Sequence, residues 1–156
     1  MALKSIYQFG PEDRSVNGNA KGAIINDRLT IPVLQAIYFL SEAKSDLDFI
    51  TNKQIEDWLE PKLNLEEGDL QEHRNELEWT YRIKWALDRL KNNTLVVKVP
   101  KKSLAWQISA EGVDFIRSFR LHETSELEDH QLLEIRRNLR SSTASSVFTE
   151  IIEDLK

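Results

Sequence analysis

Two short runs of alternating residues, 96–99 and 104–108, lie either side of a proline-and-lysine tip and are enclosed by helix signals. This stretch restricts the fold more than any other. Val96, Lys98 and the Val97/Val99 pair alternate as a half-buried strand does, and Pro100 stops the run. Leu104 to Ile108 alternates again, with Trp106 and Ile108 on one side. Ser109-Ala110-Glu111-Gly112 then has the chemistry of a helix N-cap ahead of Val113, Phe115, Ile116 and Phe119. On the other flank, the periodicity predicts a long helix over 76–91. Trp79, Ile83, Ala86, Leu87 and Leu90 share one side of it. Tyr81, Lys84 and Asp88 lie opposite, Trp85 leans toward that outer side, and Arg82 and Arg89 sit at the border. Asn92-Asn93 can take the left-handed cap conformation at its end.

Upstream, residues 1–28 have no period and concentrate Gly and Asn in "SVNGNAKG", which predicts an N-terminal arm or loop. From Thr30 the pattern becomes helical: Pro32 suits a first turn, and Ile31, Leu34, Ile37, Tyr38 and Leu40 form an apolar stripe. Thr51 and Gln54 make a capping box for a second helix with Ile55, Trp58 and Leu59 inward. Trp58 and Trp79 are therefore expected in the core. "NLEEGDLQEHRN" is expected to be a polar connection. The order helix, helix, helix, strand, tip, strand, helix predicts an α+β, mainly helical chain: a winged helix-turn-helix over 29–121, preceded by the arm and followed by a helical extension over 122–156. In that extension Ser125 and Glu128 suggest a capping box, with Leu127, Leu132, Leu133, Ile135 and Leu139 as apolar positions. Val147, Phe148, Ile151, Ile152 and Leu155 form a second stripe. The extension could pack on the domain, make a homodimer, or begin a further domain.

The chain has 156 residues, enough for one domain with a real core; 40% are hydrophobic and 30% charged, a globular balance. It has no cysteine, so disulfides, thiolate nucleophiles and Cys-ligated zinc are excluded. No apolar run approaches the roughly 18 residues of a membrane span. The start lacks the apolar core of a signal peptide, and the expectation is a cytoplasmic protein with no membrane partner. The formal net charge of −5 is unevenly spread. Residues 71–120 carry 10 basic and 6 acidic side chains, whereas the flanks 1–70 and 121–156 are net −5 and −4. A basic segment on an acidic protein suggests a confined polyanion site.

The stretch 81–119, "YRIKWALDRLKNNTLVVKVPKKSLAWQISAEGVDFIRSF", resembles the N-terminal winged-helix domain of Mrr-type restriction endonucleases. The likeness rests on Trp85-Ala86, Leu90-Lys91, Leu95, Trp106 and Ile108-Ser109-Ala110-Glu111-Gly112. It extends more weakly to Ile31-Pro32-Val33-Leu34. "NNT" before Leu95 departs from the pattern, where that family has a small residue and Gly. The resemblance implies a module that reads duplex DNA, unmodified or modified, often joined to a nuclease domain whose carboxylates hold a divalent cation beside a lysine that neutralises phosphate charge. "VFTEIIEDL" faintly resembles the first helix of such a nuclease domain, so the chain could be the N-terminal part of a longer restriction endonuclease.

The residues themselves give no catalytic site. Glu42-Ala43-Lys44 lies at a predicted helix end without a partner motif, and His73, His122 and His130 lack ligand spacing. Neither a Gly-rich phosphate loop nor a nucleophile elbow is present. The expectation is a non-enzyme with no cofactor and no metal. For DNA, the helix 76–91 would enter the major groove, with Arg82, Lys84 and Arg89 near phosphates or guanine edges. Arg74 precedes that helix. Lys98, Lys101 and Lys102 would reach an adjacent groove or the backbone from the wing. Thr51 and Lys53 would meet phosphate at a helix start. Tyr81 and Trp85 could stack on a base, or simply be exposed and half-buried respectively. A protein–protein module is the reading from a different class.

Overall fold

The computed structural model describes residues 3–18, 20–43, 49–102 and 104–140. Its centre is α1 (Asn26–Ala43), in which every residue from Leu29 to Tyr38 is buried. A helix buried all round needs neighbours on every side. Here they are α2 (Asn52–Leu59), α3 (Glu78–Asn92), α4 (Ala110–Ser118), α5 (Asp129–Arg140) and strand β6 (Ala105–Ile108). The helix starts at Asn26, ahead of the expected Thr30, so Pro32 lies inside it and not in its first turn. The buried Ile24 and the bond from the Ile25 N–H to the Asp13 carbonyl fix the entry of the chain. Tertiary packing thus overrides the penalty for an internal proline.

Of the expected arm 1–28, the described residues ahead of α1 are largely irregular but do not form a free arm. Strand β1 (Lys4–Ser5) pairs antiparallel with β7 (Glu126–Leu127), in register Lys4↔Leu127 and Ser5↔Glu126. Ile6, Tyr7 and Phe9 are buried in the core. Arg14 sits 2.8 Å from the fully buried Asp69, whose other oxygen accepts the Ile24 N–H at 2.7 Å. Arg14 also donates to the carbonyls of Gly22 and Asn64, so one buried ion pair ties the loop to the 3-10 turn Glu67–Leu70.

A three-stranded sheet has the order β2-β6-β5, where β2 is Ile50–Thr51 and β5 is Val96–Lys98. β6 pairs with both: Ile50↔Trp106 and Thr51↔Ala105 on one side, Val96↔Ile108 and Lys98↔Trp106 on the other. Thr51 caps α2 and its box with Gln54 forms as the spacing predicts. The polar connection contains a second hairpin, β3 (Glu72–His73) with β4 (Glu76–Leu77), turned by Arg74 and Asn75, both at positive φ. Two left-handed residues in a two-residue loop give the twist that a tight hairpin needs.

On α3 the expected inner face is the observed one: Trp79, Ile83, Ala86, Leu87 and Leu90 are all buried. Trp58 is only half-buried, stacked on Phe39 at 6.0 Å and covered by Lys62. The end of α3 differs from expectation. Asn93 keeps a negative φ, and Thr94 takes the left-handed position at φ 64. The Leu95 N–H reaches the Leu90 carbonyl and the Thr94 N–H the Lys91 carbonyl, a Schellman cap. Ser109 caps α4 by accepting the Gly112 N–H. Glycine is required there, because a Cβ on Gly112 would lie 2.1 Å from the Leu95 carbonyl oxygen.

Ser125 does not cap α5, because β7 intervenes; the Gln131 side chain instead accepts the Glu128 N–H. Leu127, Leu132, Ile135 and Leu139 are buried, α5 packing on α1 and α3, while Leu133 stays exposed. The stripe Val147–Leu155 lies outside the described residues, as does Lys44 of the Glu42-Ala43-Lys44 motif. Among the described residues, no helix is long and apolar enough to cross a membrane.

Candidate nucleic-acid interface

The sheet register brings two distant pieces of sequence together. Because β2 runs straight into α2, pairing Thr51 with Ala105 lays the β5–β6 tip against the start of that helix. The Asn52 N–H donates to the Leu104 carbonyl at 3.0 Å, and Trp106 Nε1 donates to Asn52 Oδ1 at 2.7 Å. Lys102 Nζ lies 4.7 Å from the centre of the Phe49 ring, a cation–π contact that holds the tip over the entry to β2. Thr51, Lys53, Lys98, Lys101 and Lys102 therefore share one region. Lys98, Lys101 and Lys102 are exposed, and none of them pairs with a carboxylate among the described residues. Lys101 and Leu104 stand at φ 64 and 57, so the tip is a strained turn made without glycine.

Lys84 joins this region from α3 through a mixed-charge cluster. Its Nζ is 2.8 Å from Glu76, and Lys53 is 3.0 Å from Asp57. The hydrogen bond from Lys53 to Asp57 raises the lysine pKa, and the charge of that carboxylate adds to the effect. Burial pushes the Glu56 carboxyl up; Glu76 and Asp57 push the same way, against Lys53 and Lys84. A phosphate approaching here would displace carboxylates from two of the lysines.

Arg74 and Tyr81 form a second exposed pair of positions, at the β3–β4 turn and the first turns of α3. Tyr81 packs on the His73 ring at 4.1 Å, and His73 Nδ1 is 3.2 Å from Glu78, so the hairpin is pinned to the helix. Arg82 and Arg89 are engaged elsewhere. Arg82 Nε is 3.0 Å from Glu78, and its Nη1 donates to the Ile24 carbonyl and to Ser15 Oγ. That side chain, only 14% exposed, braces the N-terminal loop and does not face the tip region. Arg89 stacks on Trp85 at 4.6 Å and lines a cleft with Asp27, Thr30, Arg136 and Leu139. Trp85 is half-buried in that same cleft.

Sequence reasoning missed Phe49 and Asn52, which position the tip. An aromatic immediately before a short strand was the available signal for Phe49. Nothing local marks Asn52, because its partner is more than 50 residues away. Comparisons against known protein families, curated proteins and solved structures return no match to this chain.

Proposed function

We propose that the chain is a winged-helix protein that binds duplex DNA through α3 and the β5–β6 hairpin, in the manner of the target-recognition module of Mrr-type restriction systems, and that it acts by binding and not by catalysis. The observation that carries this reading is the register Thr51↔Ala105. It makes the strand before α2 the third strand of the sheet, which supports the winged-helix reading, and the bond from the Asn52 N–H to the Leu104 carbonyl brings the lysine-bearing tip to the start of α2. Helix starts offer amide donors and a positive dipole end to phosphate, and exposed lysines add counterion release. In this reading Arg74 meets the duplex from the β3–β4 turn and Tyr81 from the first turn of α3, and Arg82 and Arg89 serve the fold.

The test is duplex binding by the full chain and by Lys101→Ala/Lys102→Ala. The double variant should lose no more than about 1 kcal/mol of stability with its exposed cation–π contact, bind any duplex more weakly, and lose about one unit of log K against log salt slope per phosphate contact removed. Methylated and unmodified duplexes compared side by side read the preference for modification. Unchanged affinity and slope would refute the wing contact. The pairing of Lys53 and Lys84 with Asp57 and Glu76 favours one other reading, a protein partner of mixed charge, which that result would bring forward.

A further inference from the structure

A concavity of about 250 Å³ opens where the C-terminal half of α1, the last turn of α2, the N-terminal loop and the loop after α4 meet. Three rings wall it: Tyr7, Phe39 and Trp58. Trp58 meets Tyr7 edge-on, with ring centres 6.1 Å apart and planes at 64°, and lies nearly parallel to Phe39, at 19°. Phe39 and Trp58 are only half-buried, so aromatic surface stays open to water here. Gln35 accepts the Tyr7 hydroxyl and gives its amide to the Leu121 and Thr124 carbonyls, which fixes the Tyr7 ring and the 121–124 loop in place. The polar lining has positive charge to spare. Lys62 Nζ lies 3.8 Å from the centre of the Trp58 ring and donates to the Trp58 carbonyl at 3.2 Å, and it pairs with no carboxylate among the described residues. The Ser125 hydroxyl has no hydrogen-bond partner among them either. Glu123, the one carboxylate among the described lining residues, is held elsewhere. Its Oε2 accepts from Arg120 Nε at 2.9 Å and lies 2.8 Å from Nη2, while Oε1 is 3.4 Å from His122 Nε2.

Aromatic side chains take a further ring in offset or edge-on geometry, and a ring entering here covers apolar surface now wetted. A cavity of about 150 Å³ is enough for a benzene ring, so the larger space takes a ring with a short polar arm. An ammonium without a carboxylate sets the sign of that arm, since a charge-assisted bond strengthens where water is partly excluded. We propose that this concavity binds a small aromatic carboxylate, its ring against Tyr7, Phe39 and Trp58, its carboxylate on Lys62, with the Ser125 hydroxyl as a second donor. The four-carbon stem of Lys62 is flexible, so the ammonium can leave the face of Trp58 and clear it for the ligand. None of the hairpin lysines and no residue of α3 lines this concavity, so the proposal stands apart from the DNA reading.

The experiment is calorimetric titration of the full chain with phenylacetate at constant ionic strength, with phenylacetamide and cyclohexylacetate as matched probes. The expected result is one saturable site that binds phenylacetamide about tenfold more weakly, the loss of one charge-assisted contact. Cyclohexylacetate keeps the charge but loses the aromatic faces, and should bind about fivefold more weakly. Lys62→Gln should bind phenylacetate about tenfold more weakly than the parent and no longer distinguish it from phenylacetamide. That variant loses the contact with Trp58, so its melting temperature should fall by no more than about 4 °C. Lys101→Ala/Lys102→Ala should bind phenylacetate as the parent does. No saturable binding by the parent, or equal binding of acid and amide, overturns the proposal, as does cyclohexylacetate binding as tightly as phenylacetate. Unchanged phenylacetate binding by Lys62→Gln puts the carboxylate elsewhere and overturns it too. Each of these outcomes reads the same whether or not the chain binds duplex, so failure of the DNA reading leaves this one standing, and the reverse.

Discussion

Replacing Trp106 with Phe tests the bond that fixes the hairpin on α2. Trp106 is 4% exposed and its Nε1–H donates to Asn52 Oδ1 at 2.7 Å, in the middle of β6. Phenylalanine keeps an aromatic ring in the core but removes the donor and part of the ring system. A buried acceptor left without a donor costs about 1–3 kcal/mol. The lost ring atoms leave a cavity that adds roughly 1–2 kcal/mol. A total near 3 kcal/mol corresponds to a melting temperature lower by about 6–12 °C for a chain of this size. Asn52→Ala breaks the same bond from the other end, while Thr51 still caps α2. The double variant separates the bond from the cavity: a coupling of about 1–2 kcal/mol between the two changes is expected by denaturant unfolding. Additivity within about 0.5 kcal/mol would refute the bond as a stabilising contact.

Two further predictions concern pH and backbone strain. Burial raises the Tyr7 phenol well above its ordinary pKa of 10.0, and its hydroxyl donates to Gln35 Oε1. The folded state then keeps a proton that the unfolded state loses, so the stabilisation is complete below about pH 10 and declines above it. The difference in unfolding free energy between the parent and Tyr7→Phe should be flat up to about pH 9 and shrink beyond pH 10, and a difference constant to about pH 11 would contradict this. Thr94→Gly should stabilise the chain by roughly 0.5–1 kcal/mol in urea unfolding, since relief of a left-handed β-branched residue exceeds the entropy lost with glycine. A destabilised variant would mean that the cap carries no strain.

The legible parts of the fold were those set by short-range pattern. Five apolar residues at helical spacing defined the buried face of α3, and Thr51/Gln54 and Ser109/Gly112 marked helix starts through contacts three residues long. The illegible parts were decided by distant partners. β3, β4, β1 and β7 are two residues each, too short for alternation to register. The site divided in the same way. The exposed tip lysines followed from the turn around Pro100, whereas the Lys84–Glu76 pair depends on Glu76 belonging to β4 and not to the helix. Arg82 lies at the border of the α3 wheel, and only the loop folded over it decides that its guanidinium faces the protein.

The pairing of β1 with β7 has a consequence for the timing of synthesis. Lys4 and Leu127 are neighbours in space but about 120 residues apart in sequence. A ribosome adding roughly 5–20 residues per second takes about 6–24 s to cover that separation. Phe9 can dock earlier, once Asn64 emerges to accept its N–H. The Ile6 N–H has no such early partner, since it waits for the Ser125 carbonyl. During that interval the apolar stretch around Ile6 stays open to chaperones and to neighbouring chains, and residues made early in this domain are among the last to find their place.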